Sequence, residues 1–323
     1  MITIYSYNIA EGTMDQPTVD KLPELVESDN VDLWIDLEAP TQEESAILND
    51  VFNFHELAIE DCTTVDIEEA KLDDYEDYLF LVFHSVLFNN GNMMFEITEL
   101  DFFFGKNYVV THHKKPTVGI GQLKKRLNKD IDFMSRGTDE ILHAIVDSLV
   151  DNYFVSFKQL ERVIYQIESE LLSDPSKKTF NNLFKLKRSL INLRRIMTPE
   201  EEVIDSLGNA EHELIQEENK IYFQDVQDHV SSIRGHLDSY IEMVSGTMAS
   251  YVSIATHRMN SVMQTLTIIA TIVLIPTLIA SIYGMNFDNM PLLHNSYGFA
   301  IVSFLCVLLT GGMLWYFKKQ DWF

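Results

Sequence analysis

Cysteine is almost missing from this 323-residue chain, which has only Cys62 and Cys306. One lies in a charged region and the other in an apolar stretch. No disulfide framework and no cysteine-based metal site is therefore expected from their spacing. Basic residues are also scarce: 24 Lys and Arg stand against 49 Asp and Glu, for a formal charge of -25. Such acidity argues against nucleic acid as a partner, because its phosphates would be repelled. It suits the attraction of cations, and an acidic solubilising surface equally well. The first thirty residues are acidic and have no apolar core, so no signal peptide is expected. No nucleophile motif occurs, and the adjacent His112 and His113 would point to opposite faces of a strand end. The chain is therefore expected not to be an enzyme and to carry no catalytic residues or organic cofactor.

Charge is absent from two long segments, Met259 to Phe287 and Asn289 to Phe317, each of 29 residues. As a helix, each would measure roughly 43 Å, enough to cross a hydrocarbon core of about 30 Å. After residue 283 the charges (Asp288, Lys318, Lys319 and Asp321) cancel, so the whole acidic excess lies upstream. Arg258 precedes the first span, Lys318 and Lys319 follow the second, and the connecting segment has no Lys or Arg. This bias places both termini in the cytoplasm. Two spans cannot enclose a polar path alone, so a subunit of an oligomeric pore fits better than a solitary carrier.

Residues 1–135 read as a cytoplasmic α/β domain. Val31 to Leu37 alternates apolar and polar residues, as a half-buried strand does. Thr41 and Glu44 form a capping-box pattern that predicts a helix to about Val51. Tyr78–Phe88 and Met93–Phe104 flank Asn89-Asn90-Gly91-Asn92 as a hairpin, and Tyr108–His112 reads as a further strand. From about Thr138 the pattern becomes helical. An antiparallel helical pair is expected over 136–210. Its acidic first member would be tied by surface ion pairs to a basic second one, which Asp174-Pro175 starts and which ends near Met197. Some of those bases would alternatively ring a pore mouth. No proline lies between Pro199 and Pro276. A stalk helix over 211–262 is thus expected to run unbroken into a first transmembrane helix over 263–283, giving one helix of more than sixty residues. An outer loop over 284–296, a second transmembrane helix over 297–317 and a basic tail over 318–323 follow.

On the first span, steps of three and four connect Asn260, Met263, Thr267, Ala270, Leu274, Thr277 and Ser281. Most of the isoleucines fall elsewhere. A stripe of small and polar residues serves helix packing or lines a pore. An amide such as Asn260 is poorly used against lipid, which favours the pore. Met263, Leu266 and Leu274 would then form apolar rings of the kind that gate by dewetting. Pro276 removes a donor from the outer part of the span.

The span closes on Tyr283-Gly284-Met285-Asn286, followed by Phe287 and Met290-Pro291, and the second span ends in aromatics and lysines. Together with Leu149-Val150-Asp151-Asn152-Tyr153-Phe154, Leu186-Lys187-Arg188, Asp225-Val226 and Leu266 to Thr271, these segments resemble the CorA family of magnesium and cobalt transporters over essentially the whole chain. The resemblance implies a funnel-shaped homopentamer in the plasma membrane, with α/β cytoplasmic domains, long stalk helices and two C-terminal transmembrane helices per subunit. Mg2+ is implied as cargo and as regulator, with Co2+ as a further cargo. The Gly-Met-Asn loop becomes the outer mouth, where Asn286 amides and carbonyls near Gly284 would grip a hydrated ion, and Gly284 would permit a backbone geometry closed to other residues. Asp225 falls on a regulatory acid of the family, whose usual partner is replaced by the neutral Asn89 or Asn90; Asp73 and Asp74 are candidate substitutes. The related ZntB branch of zinc transporters is the first alternative. A two-span receptor is the second, although the outer segment is only about ten residues long.

Overall fold

A computed structural model describes residues 1–64, 67–173, 176–209, 214–287, 290–292, 294–320 and 322. The expected helix start at Asp174-Pro175, the loop residues Asp288 and Asn289, and Asp321 lie outside the described residues. The chain divides into two units, Met1–Met248 and Ala249–Phe323.

The first unit is built on a seven-stranded sheet of order β2-β1-β3-β7-β6-β5-β4. Its strands are β1 (Ile2–Asn8), β2 (Thr13–Asp15), β3 (Val31–Glu38), β4 (Lys71–Asp74), β5 (Tyr78–Asn89), β6 (Met94–Gly105) and β7 (Tyr108–His113). Only the β3–β7 pairing is parallel; the other neighbours run antiparallel. The hairpin foreseen around Asn89–Asn92 joins β5 to β6, with Asn89 opposite Met94. Short helices α1 (Leu22–Val26), α2 (Gln42–Ser45), α3 (Ile47–Asp50) and α4 (Glu56–Thr63) lie among these strands in sequence. Thr41 and Glu44 close the capping box as their spacing predicts, but the helix expected to Val51 is split into α2 and α3.

Alternation along the strands fills two cores. Leu79, Leu81 and Phe83 of β5 join Phe102 and Phe104 of β6 and Trp34 of β3 on one face. Helices α5 (Val118–Leu127), α6 (Thr138–Ser173), α7 (Lys177–Asn209) and the start of α8 (Lys220–Tyr283) supply the rest of that core. Phe80, Val82, Phe103, Val110 and Leu33 point the other way, onto α1, α3 and α4. A sheet covered on both faces has no wet side. β3 is accordingly buried at both sets of positions, Asp32 and Asp36 included, where alternation had predicted a half-buried strand.

Two further expectations are corrected here. Helix α7 does not stop near Met197 but continues through Pro199 to Asn209. A proline within a helix costs about 3 kcal/mol. The next residue, Glu200, is buried and held by three hydrogen bonds from neighbouring elements, which offsets that cost. The ion pairs expected between α6 and α7 are also not found among the described residues. Arg194 instead pairs with Asp238 of α8 at 3.3 Å and Arg195 with Glu69 at 3.5 Å. Buried leucines and the Tyr153–Glu200 hydrogen bond of 2.6 Å join α6 and α7.

The second unit contains the end of α8, which runs unbroken for 64 residues through Pro276, and α9 (Gly298–Lys319). Both helices are long and apolar enough to cross a membrane, yet only 6% of the most apolar window of each is buried within the chain. A core helix of a soluble protein would be mostly buried. The exposed apolar surface here calls for lipid or other subunits.

Candidate functional site

The end of α8 places the Gly-Met-Asn segment. The Gly284 N–H donates to the Ala280 carbonyl at 2.9 Å and the Met285 N–H to Ile282 at 3.2 Å, so the chain leaves the helix in a tight final turn. Tyr283 is half-buried and its hydroxyl donates to the Pro291 carbonyl at 3.3 Å, tying the two ends of the loop. Gly284, Met285 and Asn286 are exposed. Gly284 was expected to use a backbone geometry closed to other residues, but it does not adopt the left-handed conformation; a Cβ there would only crowd the Ala280 carbonyl at 3.2 Å. The left-handed residue is Leu292, with φ of 65°. A Cβ on Gly298 would lie 2.2 Å from the Leu292 carbonyl oxygen, so Gly298 is what lets the loop close onto α9.

Upstream of this segment, Asn260, Met263, Leu266, Thr267, Ala270, Leu274, Thr277 and Ser281 are all exposed on α8, whereas Gln264, Ile268, Ile272, Ile275 and Ile279 are covered to varying degrees. The two sets fall on different faces, as the spacing predicts. Thr267 and Thr277 donate their hydroxyls to the carbonyls of Met263 and Val273 within the helix, at 2.8 and 2.7 Å. Their oxygen lone pairs therefore remain available as acceptors along that face.

Asp225 is exposed on α8, and its charge acts on Asp147 of α6. Asp147, Asp151 and His229 each bring one ligand atom to within 4.8 Å of the others. Burial and then the neighbouring Asp151 charge raise the Asp147 pKa, against the pull of His143 and His229. The ring nitrogen Nδ1 of His229 is buried without a hydrogen-bond partner. A cleft of about 410 Å³ borders both aspartates. The pattern was readable: Asp147 and Asp151 are four apart on one helix, as are Asp225 and His229 on another, and such pairs share a face. Asn89, one of the two residues that the resemblance sets opposite Asp225, spends its side chain on the hairpin, bonding Glu96 at 2.6 Å and the Gly91 N–H at 2.8 Å. Asp73 is held by Lys71 at 3.0 Å.

The two adjacent histidines serve separate clusters, as alternation requires. His113 meets Asp36 at 3.0 Å, and Lys124 reaches the other oxygen of that carboxylate at 2.6 Å. His112 meets Asp101 at 3.2 Å, beside Cys62. Burial, aided by the Asp101 charge, pushes the Cys62 thiol well above its ordinary value, the opposite of an activated nucleophile.

A family model described as CorA-like Mg2+ transporter protein matches residues 30–319. The protein YfjQ of Bacillus subtilis, whose name assigns it provisionally to metal ion transport, is 36% identical over 319 residues, 98% of each chain. The cobalt/magnesium transport protein CorA of Thermotoga maritima is 33% identical over 85% of this chain and 78% of its own. A zinc transport protein ZntB of Pectobacterium carotovorum is 25% identical over 56% of this chain and 55% of its own. The complete structure of the CorA magnesium transporter from Methanocaldococcus jannaschii superposes with a TM-score of 0.87 at 21% identity, over 100% of this chain and 99% of that one. With the family matched across nearly its full length, two apolar C-terminal helices and the Gly-Met-Asn segment at the end of the first, the chain belongs to the family of CorA-like Mg2+ transporter proteins.

Proposed function

We propose that this protein conducts Mg2+, and Co2+ as a second cargo, across the plasma membrane as a homopentamer with both termini in the cytoplasm. The observation that carries the reading is one continuous helix: α8 presents an exposed small and polar stripe and ends directly on exposed Gly284, Met285 and Asn286. Five such stripes around an axis would line a path, and five Asn286 amides would ring its outer mouth. Mg2+ surrenders its waters reluctantly, so neutral acceptors that bind those waters suit it better than carboxylates, which would hold the ion too firmly to release. Met263, Leu266 and Leu274 would be the apolar constrictions of the path, and Asn260 its cytoplasmic end.

Regulation by cytoplasmic Mg2+ is assigned to Asp225. Its neighbours Asp147 and Asp151 supply the concentration of negative charge that a hard divalent cation would relieve. A zinc cargo is the competing reading, supported by the likeness to ZntB proteins, which reaches over 56% of the chain in one and 99% in another. Uptake by liposomes containing the purified protein, with Mg2+, Co2+ and Zn2+ compared under the same gradient, separates the two. Mg2+ and Co2+ flux that exceeds Zn2+ flux is expected, and Zn2+ flux alone would overturn the proposal.

A further inference from the structure

Asp101 and His112 stand directly opposite each other on antiparallel β6 and β7. Opposed residues share a face of the sheet, and two steps along each strand Phe103 and Val110 mark that face as the one covered by α4. Helix α4 brings Cys62 down onto the same spot. The three side chains are buried, at 0%, 1% and 3% exposure for Cys62, Asp101 and His112. One ligand atom from each lies within 4.8 Å of the other two.

The carboxylate is incompletely satisfied. Its Oδ2 meets His112 Nδ1 at 3.2 Å, while its Oδ1 is buried without a nitrogen or oxygen donor, the Cys62 thiol beside the carboxylate being a weak donor that also bonds the Ala58 carbonyl at 3.1 Å. A lone carboxylate oxygen inside an apolar layer is unfavourable unless a cation or donor reaches it. The same place is connected to water. A cleft of about 510 Å³ is lined by Cys62 and His112 together with Gln42, Ser45, Thr63 and Lys114. Lys114, the cation on that rim, pairs with Glu99 at 3.5 Å and also reaches the Thr64 carbonyl.

We propose that Cys62, Asp101 and His112 form a binding site for a transition-metal ion of the Zn2+ class, with a water from the neighbouring cleft as the fourth ligand. Sulfur, imidazole and carboxylate are the donors such ions prefer, and three protein ligands with one open position is a familiar tetrahedral arrangement. In a tetrahedron with bonds of about 2.0–2.3 Å the ligand atoms lie roughly 3.3–3.8 Å apart, so small side-chain rotations suffice. On binding, the ion displaces the proton of the Cys62 thiol to solvent, and the resulting thiolate with the Asp101 carboxylate neutralises the divalent ion, leaving no net charge in the layer between α4 and the sheet. Mg2+ would not compete, because it demands near-octahedral oxygen coordination. This site is therefore chemically distinct from the oxygen-rich transport path. Two cysteines far apart gave no such signal in sequence, because the other two ligands come from strands about forty and fifty residues downstream of Cys62.

The test uses the reduced, chelator-treated full-length protein in detergent, with Co2+ as the probe and Zn2+ as competitor. Co2+ bound to a thiolate gives a near-ultraviolet charge-transfer band that oxygen sites in a transport path cannot produce. The expected result is about one such Co2+ per chain, displaced by Zn2+ and not by Mg2+. The band should persist in Cys306→Ser and vanish in Cys62→Ser. Asp101→Asn and His112→Gln should each weaken binding more than about tenfold. Zn2+ should also raise the thermal midpoint of the parent and of Cys306→Ser, but not that of Cys62→Ser. Circular dichroism confirms that the variants compared are folded, with Cys62→Ala as a second replacement. A parent without the band overturns the proposal, as does a band of equal strength in folded Cys62→Ser or Cys62→Ala. Unchanged affinity in both the Asp101 and His112 variants does so too.

Discussion

Asn286 is exposed just beyond the end of α8, so its replacement disturbs no packing within the subunit. Its replacement therefore isolates the chemistry of the proposed mouth. Asn286→Ala should abolish Mg2+ uptake by proteoliposomes while leaving assembly intact. Asn286→Asp should also impair it, because five carboxylates would over-bind the ion. Normal flux through the alanine variant would sink the proposal that Asn286 amides hold the ion through its waters. Glu200 presents the opposite case, a buried residue whose role is structural. Its carboxylate accepts from the His84 backbone N–H at 3.1 Å and from the Tyr153 hydroxyl at 2.6 Å, and meets the His84 ring at 2.9 Å. Burial alone would lower the His84 pKa, but the Glu200 hydrogen bond and charge outweigh it, so the value is raised. A histidine with a raised folded-state pKa contributes stability that is fully present below its unfolded value of about 6.5. That contribution is lost as pH climbs through the higher folded value. Glu200→Ala leaves a buried ring and hydroxyl without their acceptor and should cost on the order of 3–5 kcal/mol in urea unfolding. It should also flatten the decline in stability above neutral pH. A loss below about 1 kcal/mol would mean that water replaces the carboxylate.

The elements differ in how plainly their residues announce them. Where one physical requirement dominates a long segment, as apolar character does from Met259 to Tyr283, the sequence pattern and the structure coincide, although α8 begins at Lys220 where a stalk helix from 211 was expected. The β5–β6 hairpin was equally legible because its turn residues sit between two aromatic runs. Strand β1 was not, since Ile2–Asn8 is short, its adjacent hairpin partner β2 has only three residues, and its longer pairing is with β3, distant in sequence. The burial of Asp36 was hidden for a related reason: its partners Thr111, His113 and Lys124 come from β7 and α5. The mouth and stripe could be named from one helix, while the Asp147–Asp151–His229 group requires two helices to meet. Within α8 the proposed constrictions can be tested separately from the mouth. Leu274→Ser should raise leak flux at high internal Mg2+, because a polar residue rewets an apolar ring; unchanged flux would move the gate elsewhere. Gly298→Ala tests the loop that joins the spans. A Cβ there would fall 2.2 Å from the Leu292 carbonyl, so the loop must shift and Mg2+ uptake should fall several-fold. Wild-type flux in that variant would show that loop closure onto α9 does not position the mouth.

At the scale of the whole molecule the charge of -25 becomes an organising force. Five copies drawn around one axis, as proposed, would repel one another through their soluble units, and that repulsion opposes a tight closed state. Divalent cations relieve it only where they bind the closed arrangement more strongly than the open one, since equal affinity shifts no equilibrium. The Asp225 side of α8 suits this role, because Asp225 already raises the cost of ionising Asp147 through the space between two helices. High internal Mg2+ should therefore favour the closed pentamer, and its removal should loosen the assembly and open the path. Asp225→Ala lowers the local negative charge and with it the cation affinity. The variant should need several-fold more Mg2+ than the parent to protect the long helices against limited proteolysis, and should keep conducting at internal Mg2+ levels that close the parent. If protection and closure in Asp225→Ala occur at the same Mg2+ concentration as in the parent, Asp225 is a solvated acid. The repulsion must then be relieved at other carboxylates, of which Asp147 and Asp151 would be the next to replace.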